Sequence, residues 1–545
     1  MYSSIHRSQL TSFADAALNR GKAAYGLPPV PHSILALQRR RALALHSMES
    51  MDDKAALRRI PYDAVILSLS VMAALLHPAA IGDAIIAATL AGLLALYWII
   101  ALRVPHPADY GPRAVRLQSS LLGVLIAALV VLPTVVAINY RHRHQPYNAI
   151  HDSPLQIELA TQMLLRGQDY YRATYFHTPL AMWWPQGPPN PALYHTDSLP
   201  FQEELTVPAL LLARATLGWF DERFIYLASL AVALALAASL ARTRRSRLAL
   251  AGGLALNPLF VPTFIAGQND ILILAEVLAL LALARRGRYR AALLMLGTAL
   301  ATKETVVFLL PFLLLWIGGR LGLRTARDWG RWLPRALGWI ALPVLLFVGP
   351  FVLWDARALY DSTIGFVEGT VPHAFPIRGL EGYGFASFVL FGRLVRSSAD
   401  YWPFGLAQAL AAGPVALLLL WRQYRDNSLT RAVAGYATTL FIAYYFGRFD
   451  HASFIAFSLS VCMVAMLLDV DRPSHLSAGF LLALLIVPQA LAQPTTPALA
   501  IIAAVVMGAL VLYALGDALT DGWTALPRRA RQPASVERHI ARPAA

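Results

Sequence analysis

Apolar runs close to twenty residues long recur from Ile60 to Leu519, parted by short links rich in arginine. Such runs predict transmembrane helices, because crossing a bilayer core takes about 20 predominantly apolar residues. The predicted spans are 61–78, 82–102, 117–138, 223–241, 248–266, 270–284, 336–353, 403–421, 431–447, 450–468, 475–490 and 497–516. Residues 291–318 are a continuous apolar stretch broken only by Lys303 and Glu304. The expected fold class is all-α: a polytopic membrane protein with about 12 full transmembrane helices plus a membrane helical hairpin.

Orientation follows from the links "RTRRSR", "ARRGRYR", "RLGLRTARDWGRWLPR", "WRQYRDNSLTR" and "PRRARQ". Arginine-rich links belong on the cytoplasmic side. All five fall there only if 206–217 does not span and if 291–302 and 304–318 enter from the cytoplasm and return to it. Lys303 and Glu304 then lie at the tip of that hairpin. The outer segments become 139–205, 267–269, 354–402 and 447–450, and the two long ones are expected to carry interfacial helices. The parts in order are a cytoplasmic tail (1–60), two additional helices (61–116), a membrane core (117–470), C-terminal helices (471–519) and a basic cytoplasmic tail (520–545).

Composition agrees, at 57% hydrophobic and 14% charged residues. The excess of +15 is almost all arginine and needs no nucleic acid to explain it. Cys462 is the single cysteine, which excludes an intramolecular disulfide and a cysteine-ligated metal cluster. The first long apolar run starts near Tyr62, so no amino-terminal signal peptide is expected. No zinc-site spacing or phosphate-binding glycine loop is present, and no cofactor is expected; a divalent cation is not indicated. The Asp-x-Asp at Asp469–Asp471 reads as chance.

The chemistry-bearing residues gather in the outer segments. In "AINYRHRHQPYNAIHDSPLQIELATQMLLRGQDYY", His151 and Asp152 precede an amphipathic helix with Leu155, Leu159, Met163 and Leu164 on one face. Asp152 or Ser153 could cap that helix, and Ser153 as cap would leave Asp152 free. The chain has three lysines beside 43 arginines, and Lys303 alone lies in the apolar core. An ionisable group at such depth is a functional candidate by default; the alternative is an internal ion pair with Glu304 or Asp270. Gln268, Asn269 and Asp270 form a polar rim at an outer turn, with Asp270 also a reasonable helix cap. Arg448, Asp450 and His451 share another outer turn, while "HAFPIRG" supplies His373 and Arg378.

Two stretches resemble a known family. "HDSPLQIELATQMLLRGQDYY" resembles the segment after the first core span of GT-C glycosyltransferases. "GQNDILILAEVLALLALARRGRYRAALLMLGTALATKETVVFLLPFLLL" is similar to a stretch of glycosyltransferase family 87 and related polyprenyl-phosphate-mannose-dependent mannosyltransferases. The chain departs from that pattern at Glu304, where the family usually has proline, at "YHTDSLPF" and in its two extra leading spans. The resemblance covers roughly residues 117–470 and implies a GT-C membrane core in a bacterial cell membrane with an extracytoplasmic site. It implies an inverting hexosyltransferase taking a sugar, mannose in this family, from a polyprenyl-phosphate carrier to a lipid or glycan acceptor.

Carried over, Asp152 is the general base, with Glu158 as second choice. Breaking the C1–O bond puts charge on the leaving phosphate, for which Lys303, Arg448, Arg378 and His451 are the candidates. Sugar and acceptor contacts fall to Gln268, Asn269, Asp270, His151 and His373. A lipid-linked saccharide flippase, and a polymerase or ligase of polyprenyl-linked glycans, are the alternative readings.

Overall fold

The computed structural model describes residues 62–75, 84–103, 112–183, 190–468 and 494–520. The expected tail 1–60, the span 475–490 and the Asp469–Asp471 pair lie outside the described residues. Every regular element described is helical: α1 (Tyr62–Leu75), α2 (Ala84–Arg103), α3 (Pro112–Ile126), α4 (Leu132–Arg143), α5 (Asp152–Leu165) and α6 (Phe201–Leu217) come first. They are followed by α7 (Arg223–Leu240), α8 (Arg244–Ala255), α9 (Phe260–Ala266), α10 (Asp270–Arg285), α11 (Tyr289–Thr302) and α12 (Leu310–Arg320). The last are α13 (Ala326–Phe347), α14 (Gly349–Tyr360), α15 (Phe404–Arg425), α16 (Leu429–Tyr445), α17 (Ala452–Leu468) and α18 (Pro497–Thr520).

Helices α10, α16 and α17 are apolar on nearly every side and buried along almost their whole length. A helix with no polar face belongs inside. Around these three pack α7, α11, α12 and α15. The outer helices instead expose leucines, among them Leu345 and Leu346 on α13, Leu410 and Leu417 on α15 and Leu512 on α18. Broad exposed leucine faces suit lipid rather than water. The architecture is that of a polytopic helical membrane protein.

By length and composition, 4 described helical stretches can cross a membrane, or up to 6 when each bent pair counts as one span. The sequence predicts about twelve over the whole chain, one of which, 475–490, lies outside the described residues. The buried α10, α16 and α17 have 16, 17 and 17 described residues, at the lower edge of what a crossing takes. The runs at 248–266 and 336–353 are bent by 53° and 69° at breaks between helices.

The stretch 291–318 turns back on itself. Thr302 Oγ1 donates to Glu276 Oε1 (2.9 Å), and Lys303 Nζ reaches Asp270 Oδ1 (3.0 Å) at the first turn of α10. Lys303 is extended (φ −154°, ψ 128°), which ends α11, and a 3-10 turn (Glu304–Leu309) leads into α12. At its far end α12 receives Asn427, whose Nδ2 donates to Leu315 O (2.8 Å) just before α16 begins. The two arms rest on different neighbours, α11 on α10 and α13, α12 on α15 and α16.

Gly297 sets the crossing of α11 and α13. A Cβ there would stand 2.1 Å from the Ile340 carbonyl oxygen, and Pro343 closes the same side. Gly338 on α13 has nothing within 4 Å of its Cβ position. Alanine should therefore have opposite effects at the two sites. Gly297→Ala is expected to destabilise by about 1–3 kcal/mol through overpacking, and Gly338→Ala to be neutral or stabilising by up to about 1 kcal/mol. Thermal unfolding of the purified protein in detergent measures both, and equal shifts would refute the tight crossing.

Candidate active site

The entrance to α5 is fixed from behind by a buried arginine. Arg223 is fully buried, its Nε and Nη2 donating to the two oxygens of Asp221 at 2.8 Å each. Its Nη1 donates to Ala149 O (2.7 Å) and Ile265 O (3.0 Å), joining the loop before α5 to the end of α9. His151 N then donates to Ala266 O (2.7 Å). Gly267 follows at φ +94°, and a Cβ there would meet Arg223 Cγ and Pro154 Cγ at 3.1 Å. That left-handed turn is open only to a residue without a side chain. Ala149 holds φ 52°, a local strain that the arginine clamp holds in place.

This arrangement presents Asp152 as the first residue of α5, with His151 as the cap. The cap thus falls one residue before Asp152 and two before Ser153, the two caps expected from the sequence. Asp152 Oδ1 accepts from His151 Nδ1 (2.7 Å), and Oδ2 from Asn190 Nδ2 (2.7 Å). Burial alone would raise the Asp152 carboxyl. The adjacent His151 cation, its hydrogen bond and that of Asn190 outweigh this and hold it at about 2. Burial likewise works against a charged His151, but the Asp152 and Asp197 carboxylates raise it above its ordinary value, with Arg378 opposing them. Asp152 is therefore an ionised carboxylate with part of its surface open.

Of its two expected ion-pair partners Lys303 meets Asp270 (3.0 Å), and its Nζ lies 5.1 Å from the centre of the Phe454 ring. The charges of Asp152, Glu304 and Lys303 act on Asp197, and those of Arg378, His151 and Asp152 on His451. These residues therefore lie within electrostatic reach of one another, and we call their neighbourhood the recess. Asp197 and Glu304 are solvent-exposed even though protein crowds around Asp197, as befits residues lining a concave wall. Burial, then the Asp152 and Glu304 carboxylates, raise Asp197 above the usual carboxylate range.

The remaining expected residues have different surroundings. Glu158 accepts two donors from Arg141 (2.7 Å each) and Glu222 N (2.9 Å), so both its oxygens are taken up in a buried network. Arg448 is buried and donates to the carbonyls of Phe375 (2.5 Å), Asp400 (3.1 Å) and Ser398 (3.4 Å). It holds the segment that carries Arg378. Arg378 itself pairs with Glu381 (3.0 Å) and lies over the Phe375 ring. Asn269 donates to Gln202 Oε1 (2.9 Å), while Gln268 Oε1 is buried with no protein partner. His373 stacks on Tyr194 with 3.8 Å between ring centres.

Sequence reasoning missed Asn190, Asp197 and Glu304. The latter two had a signal, since both fall where the chain departs from the family pattern. Among the described residues no group of three or more His, Cys, Asp or Glu side chains could hold a metal ion.

Residues 203–319 match the model of the MptA_B family, described as alpha-(1->6)-mannopyranosyltransferase, N-terminal domain. No curated protein matches the chain. The match runs from α6 through α12, includes Asp270 and Lys303, and bears out the resemblance to GT-C mannosyltransferases. It supports a glycosyltransferase.

The clamp yields a direct expectation. Arg223→Lys keeps the charge but cannot bridge Asp221 and two carbonyls at once. Breaking a buried pair of this kind costs about 3–5 kcal/mol, so the thermal midpoint should fall clearly. An unchanged midpoint would show that Arg223 does not hold the site together.

Proposed function

We propose, from the match across residues 203–319 and the recess it helps to frame, that this protein is an inverting mannosyltransferase. It moves mannose from a polyprenyl-phosphate carrier to a lipid or glycan acceptor on the extracytoplasmic face of the membrane. The observation that carries the proposal is Asp152, an ionised, partly open carboxylate in the same recess as Lys303.

The acceptor oxygen attacks C1 of the donor sugar as the C1–O bond to phosphate breaks, inverting the anomeric centre. Asp152 accepts the acceptor's hydroxyl proton, and the bond electrons leave with the polyprenyl phosphate. General-base help of this kind is worth about 10²- to 10⁴-fold. Lys303 and Arg378 stabilise the departing phosphate more than the bound donor, which is what lowers the barrier. Asp270 keeps Lys303 charged and aimed while the site is empty. Arg448 acts at one remove, by fixing the backbone from Phe375 to Asp400. His151 sets the basicity of Asp152 rather than taking the proton itself. Exposed leucine faces supply the lipid-side surface along which a polyprenyl chain can lie.

Purified protein should transfer mannose from synthetic polyprenyl-phosphate-mannose to a membrane-lipid extract. Asp152→Asn, with its fold verified, should lower the rate by about 10²- to 10⁴-fold. Equal rates would rule out Asp152 as the base, and a wild type that transfers nothing from this donor would sink the proposed reaction.

The His151 pair adds a pH test. With Asp152 held at about 2, the wild type keeps its base ionised throughout the acidic range. In His151→Asn, burial acts on Asp152 unopposed by the cation and its pKa rises. The ratio of activity at pH 5.0 to that at pH 7.5, to name roughly the window where such a shifted carboxyl titrates, should then fall below the wild-type ratio. Identical ratios would mean that the pair does not govern the base.

A further inference from the structure

A second cavity, of about 400 Å³, opens between the two long outer segments. Its walls carry Tyr171, Arg172, Tyr194, Asp355, Arg357 and Asp361. Two irregularities of the backbone shape it. Within α14, Asp355 departs from helical geometry (φ −156°, ψ 90°), and its Oδ1 accepts from Arg357 N (3.1 Å) and Ala358 N (3.0 Å), restarting the helix. One turn on, Asp361–Gly365 is a π-helical turn. Such turns insert a residue into the helix, tend to mark functional sites, and here they bring Asp355, Asp361 and Ser362 to one wall.

The floor is held tightly. Ser362 is buried and donates to Tyr171 O (3.0 Å). His195 Nε2 lies 2.8 Å from Pro372 O, and Gln156 Nε2 donates to His195 O (2.7 Å). Tyr175 and Thr196 share a hydrogen bond (2.7 Å), and Tyr171 OH donates to Ser198 O (2.8 Å). The same short strand of chain thus lines the cavity at His195 and the catalytic recess at Asp197. Two residues of extended chain span at most about 7 Å, so one molecule can occupy both.

The lining indicates the ligand's chemistry. Arg172 stands 3.7 Å from Asp355, and Arg357 stands 3.0 Å from Asp361, so each cation is matched by a carboxylate. No excess charge remains for a phosphate or other anion. What remains is a mixture of donors and acceptors beside Tyr194, whose ring is stiffened by its stack on His373. An aromatic wall with a few convergent polar groups fits a neutral polyhydroxylated molecule.

We propose that this cavity binds the acceptor as a neutral saccharide chain, which extends past His195 to place its terminal hydroxyl at Asp152. The proposal rests on the transferase reading, but its binding step needs neither donor nor turnover.

The test is binding of α-1,6-linked mannotriose to the purified full-length protein by isothermal titration, with inorganic phosphate as a second probe. Mannotriose should bind, and phosphate should not displace it. Asp361→Asn and Arg357→Ala, the latter at an exposed position that the fold does not need, should each weaken binding about tenfold, the worth of one charge-assisted hydrogen bond. In the transfer assay Asp361→Asn should raise the KM for acceptor and leave that for donor unchanged. Absence of mannotriose binding, indifference to both cavity variants, or displacement by phosphate would each overturn the proposal. Asp361-dependent binding by a protein that transfers nothing would uphold the cavity and refute the transferase reading.

Discussion

Arg223, buried without trace of solvent, is the contact from which the recess is built. A guanidinium taken out of water is tolerable only when its donors are met. Four of its N–H groups are met by Asp221 and by the carbonyls of Ala149 and Ile265. Those carbonyls belong to segments more than a hundred residues apart in sequence. Once they share one cation, His151 N falls opposite Ala266 O, Gly267 turns tightly against Pro154, and Asp270 starts α10 beside the start of α5. Arg141 repeats the device a step away, bridging Glu158 and Asp221. The proposed catalytic groups are thus placed by a buried network that stands behind them.

Within the recess, charge is divided between pairs rather than collapsed into one cluster. Lys303 is held by Asp270, and Asp152 by His151 and Asn190. Were Lys303 instead joined to Asp152, the two charges would cancel and neither would be left for the proposed reaction. Separate partners keep both charged and both apart. The Asp197 and Glu304 carboxylates face the same space, which suits hydroxyl-rich ligands better than acidic ones.

Much of this could be read from the chain. A lone core lysine among arginines marked Lys303, and the break in an apolar stretch gave the reversal of α11 and α12. The junction of an apolar run with a His-Asp helix start marked Asp152. Residue type alone did not say whether side-chain hydrogen bonds were already taken. Glu158 therefore looked as available as Asp152, although buried donors occupy both its oxygens, and Arg448 as available as Arg378, although three of its hydrogen bonds go to backbone carbonyls. Asn190 lies far along the chain from what it serves, with no local pattern to single it out. Span counting from the chain is limited for a related reason: an all-apolar run indicates burial, and neighbouring helices can bury it as well as lipid can.

The three parts joined at Arg223 are separated by the whole of α5 to α9. A chain made from its N-terminus therefore has α4 and the His151–Asp152 segment in place long before Ile265 and Ala266 emerge. Until α9 is delivered, Ala149 O can already meet Arg223, but His151 N has no Ala266 carbonyl to donate to, so the segment carrying Asp152 is only half seated. Biogenesis thus has a built-in order, in which the segment carrying Asp152 is synthesised early and completes its contacts only when α9 arrives.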